Sequence, residues 1–202
     1  MKTLLNAAVI LCLLPACSAV SVLENASVPL EVYELRVPSI APVTGRRNVE
    51  LVVEEPVASG ALAIERIMVR PAPLQAQYLP DVRWSDTAPI MLQTLLVRAL
   101  TETGALSSVG RRPIGTAGDY AVLSELTDFQ AEVDAEGDGA TVRTRITLRI
   151  VRERDANVVA SRTITAVAPA TTTQTDMIIA AFDAATTQLL TDAVPWIIGQ
   201  LR

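Results

Sequence analysis

Three residue types that carry much of enzyme chemistry are absent or scarce in this sequence. It contains no histidine, Lys2 is its one lysine, and Cys12 and Cys17 are its two cysteines. Without histidine there is no Ser-His or Cys-His nucleophile system and no imidazole ligand for zinc. Without a lysine beyond residue 2 there is no Schiff-base lysine and no Walker A lysine. The sequence therefore predicts a protein that is not an enzyme and that has no catalytic residue, no metal site and no cofactor.

Two acidic features remain to be considered. Glu54 and Glu55 are adjacent at the end of a predicted strand, where neighbouring side chains point to opposite faces, so we do not expect them to act on one substrate. The Gly137-Asp138-Gly139 segment is too short for a calcium loop and is typical of a hairpin turn.

Basic residues are outnumbered by acidic ones. The chain has 17 Lys and Arg against 22 Asp and Glu, a net charge of −5. An acidic domain lacks the positive surface that binds nucleic acid, and it is not attracted to an anionic bilayer. Nucleic acid is therefore not expected as a partner.

The N-terminus has the pattern of a secretory signal. Lys2 precedes an apolar run from Leu4 to Leu14. The segment Leu14-Pro15-Ala16-Cys17 resembles the lipobox of bacterial lipoproteins, which implies covalent diacylglycerol and an N-acyl chain on Cys17. The alternative is an ordinary signal peptide with an incidental cysteine. We expect a signal peptide at 1–16, a lipidated N-terminus and tether at 17–29, and a domain at 30–202.

The predicted fold is a single α+β domain with a mostly antiparallel sheet packed by two main helices. A helix is expected from Asp86 or Thr87 to about Gly104, with Pro89 in its first turn, and a second from Thr173 or Thr175 until Pro195 breaks or kinks it. Strands are expected at 31–37, 49–54, the end of 62–70 before Pro71, 74–78, 106–109, 120–133, 141–150 and 158–167. The last three are expected to form an antiparallel meander.

The predicted strand 141–150 alternates apolar residues with three arginines, Arg143, Arg145 and Arg149. One interpretation is a contact for an anionic lipid or a partner. The other is a solvated face on which the arginines pair with acidic residues of the neighbouring strand, such as Glu125, Asp128 or Glu132.

Four aromatic or arginine residues are candidates for contacting a partner protein: Tyr78, Arg83, Trp84 and Trp196. A loop that combines an aromatic residue with arginine has the composition of an interface hot spot. Alternatively, Trp84 fills the junction between sheet and helix, Arg83 pairs with Asp81 or Asp86, and the helix before Trp196 simply packs on the sheet.

A set of residues at fixed spacing in the first half of the chain resembles the ABC-type transport auxiliary lipoproteins, the PqiC-like components of lipid-transport systems. They are Leu62, Arg66-Ile67, Val69-Arg70-Pro71, Tyr78, Arg83-Trp84, Asp86, Pro89, Leu95-Leu96, Gly104 and Val109-Gly110-Arg111. The lipobox before them and the strand-rich, helix-terminated region after them follow the family's order.

The resemblance implies a lipoprotein that faces the periplasm and assists the movement of phospholipid or another hydrophobic molecule between membranes. Its partners would be a substrate-binding protein of the mammalian-cell-entry (MCE) class and, through it, the ABC permease and ATPase. Outer-membrane anchoring is implied, and Ser18 after Cys17 is compatible with it. Two other functions stay open at this point: an envelope scaffold for cell-wall synthesis or outer-membrane protein assembly, and direct carriage of a lipid inside the domain.

Overall fold

The fold is that of a computed structural model, which describes residues 30–42, 45–115 and 117–202. The predicted signal peptide and tether, with Cys17, lie outside the described residues. The elements in chain order are β1 (Glu31–Tyr33), β2 (Arg47–Val53), β3 (Val57–Ala58), β4 (Met68–Ala72), β5 (Gln75–Tyr78), β6 (Val82–Trp84), α1 (Ala88–Glu102), β7 (Leu106–Gly110), β8 (Tyr120–Val133), β9 (Ala140–Arg152), a 3₁₀ turn (Glu153–Asp155), β10 (Asn157–Ala170) and α2 (Thr175–Gln200).

The main sheet is built around β8. One edge of β8 pairs along its length with β9, and β9 pairs with β10, which confirms the antiparallel meander. The other edge takes β2, β3 and β4 one after another, all parallel to β8, while β7 is parallel to β2 and β5 is antiparallel to β4. The sheet is therefore mixed, and the prediction of a mostly antiparallel sheet is wrong. Parallel neighbours need a crossover connection, and α1 is part of the one between β2 and β7.

A bulge in β8 keeps its apolar side chains on the inner face. The register with β9 shifts between Leu126 and Asp128, which adds Thr127 as an extra residue. Val122 and Leu126 are buried before the bulge and Phe129 and Ala131 after it, so the buried positions change from even to odd. The bulge explains why this strand lacks a simple alternation of two.

The strand β4 runs through Pro71, although this proline was expected to end it. The pairing with β5 shifts between Val69 and Ala72, so Pro71 lies in an irregular part of the ladder where it has no hydrogen bond to supply. The predicted first strand is shorter than expected: β1 covers 31–33 and pairs in parallel with β6, which was expected to be a loop.

The helix α1 begins after Thr87 and ends before Thr103, in agreement with the prediction, with Pro89 in its first turn. Its buried face includes Leu92, Leu96 and Leu100, spaced by four residues. The buried side chain of Gln93 donates a hydrogen bond to the Val53 carbonyl at 2.8 Å, where the ladder of β2 ends. This bond fixes α1 against the sheet.

The helix α2 packs on β9 and β10 and continues through Pro195 to Gln200, so the predicted break is wrong. Pro195 lies on the exposed face and has no N–H to donate to the carbonyl of Thr191. The buried stripe from Ile178 to Ile198 holds the helix in place on both sides of the proline. By length and composition α2 would fit a membrane span, but half of its most apolar window is buried inside the protein, as in a core helix.

The segment after β1 is held to α2 by Arg36 and Asp183. The Arg36 guanidinium and backbone N–H both donate to the Asp183 carboxylate, the latter at 3.0 Å. Burial pushes the pKa of Asp183 upward, but the hydrogen bonds and charge of Arg36 outweigh it, and the pKa is lower than usual.

The turn from β8 to β9 requires a glycine at position 139. A Cβ there would lie 2.7 Å from the Asp134 carboxylate and 3.0 Å from the Ala170 carbonyl. The turn and the end of β10 therefore pack closely at this end of the sheet, which is the end that carries the start of α2.

Candidate functional site

Trp84 lies in the core of the protein. Its side chain is 1% exposed, and its ring centroid is 5.8 Å from that of Phe129 on β8 and 5.1 Å from that of Phe182 on α2. The two phenylalanines are 5.0 Å apart, so the three rings form one cluster where α2 meets the sheet. Trp84 therefore fills the sheet–helix junction, the alternative interpretation, and its indole offers no surface to a partner.

Tyr78 and Arg83 lie on the surface beside this core. The guanidinium of Arg66 is 5.7 Å from the centre of the Tyr78 ring, and the Tyr78 hydroxyl donates to the Ala61 carbonyl at 3.4 Å. Arg83 donates to Glu65 at 2.7 Å. It does not pair with Asp81 or Asp86, because β6 directs Arg83 toward the 59–67 segment. We call Glu65, Arg66, Tyr78 and Arg83 the Tyr78 cluster.

The Tyr78 cluster combines an aromatic ring, two guanidinium groups and a carboxylate on a partly exposed surface. Pairs of this type can stack on a partner's peptide or aromatic groups and donate hydrogen bonds to its carbonyls. Glu65 and Arg66 were not among the predicted contact residues, although Arg66 belongs to the spaced set that carries the family resemblance.

Trp196 lies far from the Tyr78 cluster. It is half-buried near the end of α2, where Arg47 donates to the Ile198 carbonyl and Tyr120, the first residue of β8, donates to the Arg202 carbonyl at 3.1 Å. Tyr78 instead lies near the end of β8. Ala131 of β8 pairs with Val69 of β4, and Val69 pairs with Gln77 of β5, the residue before Tyr78. The structure does not bring the two predicted contacts together, and binding of a partner by Tyr78, Arg83 or Trp196 stays a prediction.

Three arginines of β9, Arg143, Arg145 and Arg149, lie on the outer face of the sheet. Arg143 pairs with Glu132 of β8 at 3.1 Å, and its hydrogen bonds lower the Glu132 pKa although partial burial raises it. This pair fits the interpretation of a solvated face balanced by acidic neighbours. Arg145 and Arg149 are exposed and have no carboxylate within 4 Å among the described residues.

Glu54 and Glu55 line one shallow depression of about 540 Å³ together with Glu125 and Arg149. They follow β2 rather than belong to it, so strand alternation does not separate them as expected. Across residues 30–42, 45–115 and 117–202, no three Cys, Asp or Glu side chains are grouped to hold a metal ion.

A cavity at the end of β8 was not predicted. It holds about 600 Å³ and lies between the β4–β5 hairpin and the end of β8, with Arg70, Asp128, Gln130 and Glu132 in its wall. The signal in the sequence was weak, since Arg70 and Pro71 belong to the resemblance but Asp128 and Gln130 do not. Only the register between β4 and β8 brings them together.

The fold and sequence are similar to those of known proteins. The crystal structure of protein XCC0632 from Xanthomonas campestris, family DUF330, is 27% identical, with a TM-score of 0.75, and the match covers 84% of this chain and 95% of that one. An uncharacterized protein of known structure shares the fold at 15% identity and a TM-score of 0.65, over 83% of this chain and 97% of its own.

Among curated proteins, uncharacterized protein bll6063 of Bradyrhizobium diazoefficiens is 25% identical over 169 residues, which is 81% of this chain. The matched part is 44% of that protein, so this chain spans less than half of its relative. The sequence pattern of the ABC-type transport auxiliary lipoprotein component matches residues 33–194. The chain therefore belongs to the family of ABC-type transport auxiliary lipoprotein components.

Proposed function

We propose that this protein is a lipid-anchored auxiliary component of an ABC/MCE-type intermembrane lipid transport system, which docks the transport machinery at the membrane. The observation that carries the proposal is the family match over residues 33–194. In this proposal Cys17 carries the anchor, the domain faces the periplasm, and the outer membrane holds the anchor. Energy comes from the partner ATPase, since the domain has no Walker A lysine.

The shape of the domain supports a docking role. One continuous core joins the sheet to both helices, and the aromatic cluster of Trp84, Phe129 and Phe182 fastens α2 to it. A rigid body of this kind can present a fixed surface to a partner with little loss of conformational entropy. The Tyr78 cluster is the surface that we assign to the MCE-domain partner, with Trp196 as a separate second contact.

The test is a crosslinked pull-down of the full-length lipoprotein from its own membranes, with identification of proteins and lipids. Recovery of an MCE-domain subunit with its permease is expected, and Cys17→Ser should reduce it because the domain leaves the membrane. Recovery of only cell-wall or barrel-assembly proteins would overturn the proposal and favour the envelope scaffold.

Surface variants locate the contact. Tyr78→Ala combined with Arg83→Ala should reduce recovery of the MCE subunit, whereas Arg149→Ala, an exposed arginine on the outer sheet face, should not. Equal recovery by all variants would remove the Tyr78 cluster from the proposed interface. Lipid that copurifies at close to one per chain with its acyl chains enclosed inside the domain would instead indicate direct carriage.

A further inference from the structure

The 600 Å³ cavity at the end of β8 has charged groups on two adjoining strands. Arg70 of β4 is directly opposite Glu132 of β8 in a parallel register, so the two side chains project from the same face of the sheet. The hairpin residues 71–73 form an apolar wall next to Arg70. Pro71 and Pro73 lack an N–H, and Arg70 is the charged donor on this side of the cavity.

Arg70 has unused hydrogen-bonding capacity. Its Nε is buried and has no partner, and its Nη1 makes one long bond, 3.4 Å, to the Pro73 carbonyl. No carboxylate of the described chain lies within 4 Å of its guanidinium. A guanidinium presents five donors in a planar fork that matches phosphate, and buried donors normally have acceptors. Arg70 therefore lacks an anionic partner.

Asp128 lacks a cationic partner across the same cavity. Its carboxylate accepts hydrogen bonds from the neutral groups of Thr127 and Gln130, both at 3.1 Å. Gln130 is 2% exposed and also donates to Glu132 at 3.2 Å, so its amide holds the two carboxylates side by side. Glu132 is already paired with Arg143, whereas no arginine of the described residues lies within 4 Å of Asp128, although Arg145 is opposite it in the register.

Arg70 and Asp128 both line this cavity, so a ligand that contacts both must carry an anionic group and a cationic group on one small molecule. Phosphate bound by Arg70 and a primary ammonium bound by Asp128 meet this requirement, and the volume is that of a small-molecule site. No aromatic side chain lines the cavity, so it has none of the rings that form a cage for a quaternary ammonium. We propose that this cavity binds the phosphoethanolamine headgroup of a membrane phospholipid.

The position of the cavity favours a membrane as the source of the ligand. Ala170, the last residue of β10, pairs with Ala140 at this end of the sheet, and α2 starts shortly after it. Arg36, three residues after β1, donates its backbone N–H to Asp183 in the first half of α2, so β1, the first described element, lies near the same end. A chain anchored at Cys17 therefore enters the domain here. Leu74, fully exposed at the hairpin tip next to Pro73, is placed to contact acyl chains.

The test is a binding titration of purified full-length protein in detergent with four probes: dihexanoyl phosphatidylethanolamine, dihexanoyl phosphatidylcholine, glycerophosphoethanolamine and inorganic phosphate. The ethanolamine lipid should bind at least about tenfold more tightly than the choline lipid, because a charge-assisted hydrogen bond is lost with choline. It should also bind more tightly than glycerophosphoethanolamine. Equal affinity for the ethanolamine lipid and glycerophosphoethanolamine would contradict a membrane lipid as the source of the ligand. Binding of inorganic phosphate and of none of the other probes would contradict the proposed site.

Variants separate the two halves of the site. Arg70→Gln should weaken both lipids about tenfold or more, whereas Asp128→Asn should abolish the preference for ethanolamine and leave choline-lipid binding unchanged. Arg149→Gln and Glu125→Gln make the same chemical changes on the same sheet face outside the cavity, and they should have no effect. Equal losses in these controls would overturn the proposal.

A direct Arg70–Asp128 pair in solution is the competing explanation. Such a pair predicts that no lipid binds and that Arg70→Gln and Asp128→Asn have non-additive effects on stability. This combination of results would also overturn the proposal. The proposal rests on the proposed function only for the source of the lipid. Because binding by the purified protein needs no transport subunit, a failed pull-down and a failed titration are separate outcomes.

Discussion

Truncation of Trp84 to alanine should cost the protein stability rather than partner affinity. The indole is 1% exposed and is enclosed by Phe129 and Phe182, with ring centroids 5.8 and 5.1 Å away. A buried aromatic side chain covers roughly 150–250 Å², which at about 25 cal/mol per Å² corresponds to roughly 4–6 kcal/mol. Measured truncations of this type cost about 3–5 kcal/mol, so we expect the free energy of unfolding to fall by that amount.

Urea denaturation followed by circular dichroism measures the loss, and the fluorescence of Trp196 in the variant gives a second probe of the same transition. Trp84→Phe, which keeps a ring in the site, should cost clearly less than Trp84→Ala, and it provides a measurable protein if the alanine variant does not fold. Leu74→Ala, at a fully exposed position, is the control and should change stability by less than about 0.5 kcal/mol.

The ring cluster can be tested by a double-mutant cycle. Trp84→Leu and Phe182→Leu should be less costly together than the sum of the two, with a coupling of about 0.5–1.5 kcal/mol beyond lost burial. A loss below about 1 kcal/mol for Trp84→Ala, accompanied by loss of the MCE subunit in the pull-down, would refute the reasoning. In that case Trp84 would be an interface residue after all.

Three further changes test other parts of the fold. Asp183→Asn should destabilise the protein at pH 7, because the Asp183 pKa is lowered in the folded state and the Arg36 pair is stabilising only while the carboxylate is ionised. The difference in stability from wild type should shrink as the pH falls below 3.8, the ordinary aspartate pKa. Urea midpoints at pH 7 and pH 3 measure this difference, and a constant difference would contradict the prediction. Pro195→Ala should raise the free energy of unfolding by about 1–2 kcal/mol, because residue 195 then has an N–H that can donate to the Thr191 carbonyl. An unchanged or lower melting temperature would contradict this prediction. Gly139→Ala should lower stability by about 1–3 kcal/mol because its Cβ meets backbone at 3.0 Å, whereas Gly60→Ala, with open space around it, should be close to neutral in the same urea assay.

Local patterns in the sequence predict a strand or helix well where the spacing of its apolar residues is regular. The alternation from Thr141 to Ile150 predicts β9, and Thr87, Pro89 and leucines at spacings of three and four predict α1. Pro71 was expected to end a strand and Pro195 to break or kink a helix, and neither element ends at its proline. Pro71 is tolerated because the ladder is irregular there, and Pro195 because tertiary packing holds both sides of α2.

Pairing of distant segments was not predictable from these patterns. Periodicity indicates which face of a strand is buried but not which strand lies beside it, so the parallel pairing of β2, β3 and β4 with β8 was missed. The same limit applies to the sites. The loop that contains Trp84 has the composition of a contact surface. Trp84 is nevertheless a core residue, because Phe129 and Phe182, which are distant in the sequence, pack against its ring. Arg70 and Asp128 line the same cavity only because β4 pairs with the end of β8.

The sharing of one β8 edge by three short strands also affects how the chain folds. The β8 partners of β2, β3 and β4 lie roughly 60 to 70 residues further along the chain, so each pairing closes a long loop before it gains a ladder. A chain that is made N-terminus first exposes Leu51, Val52 and Val53 without their neighbours until β8 has followed. Early folding is then restricted to α1, the β4–β5 hairpin and local turns, and the parallel part of the sheet forms only after β8 is available. A holding chaperone would accordingly bind the N-terminal third of the chain longest.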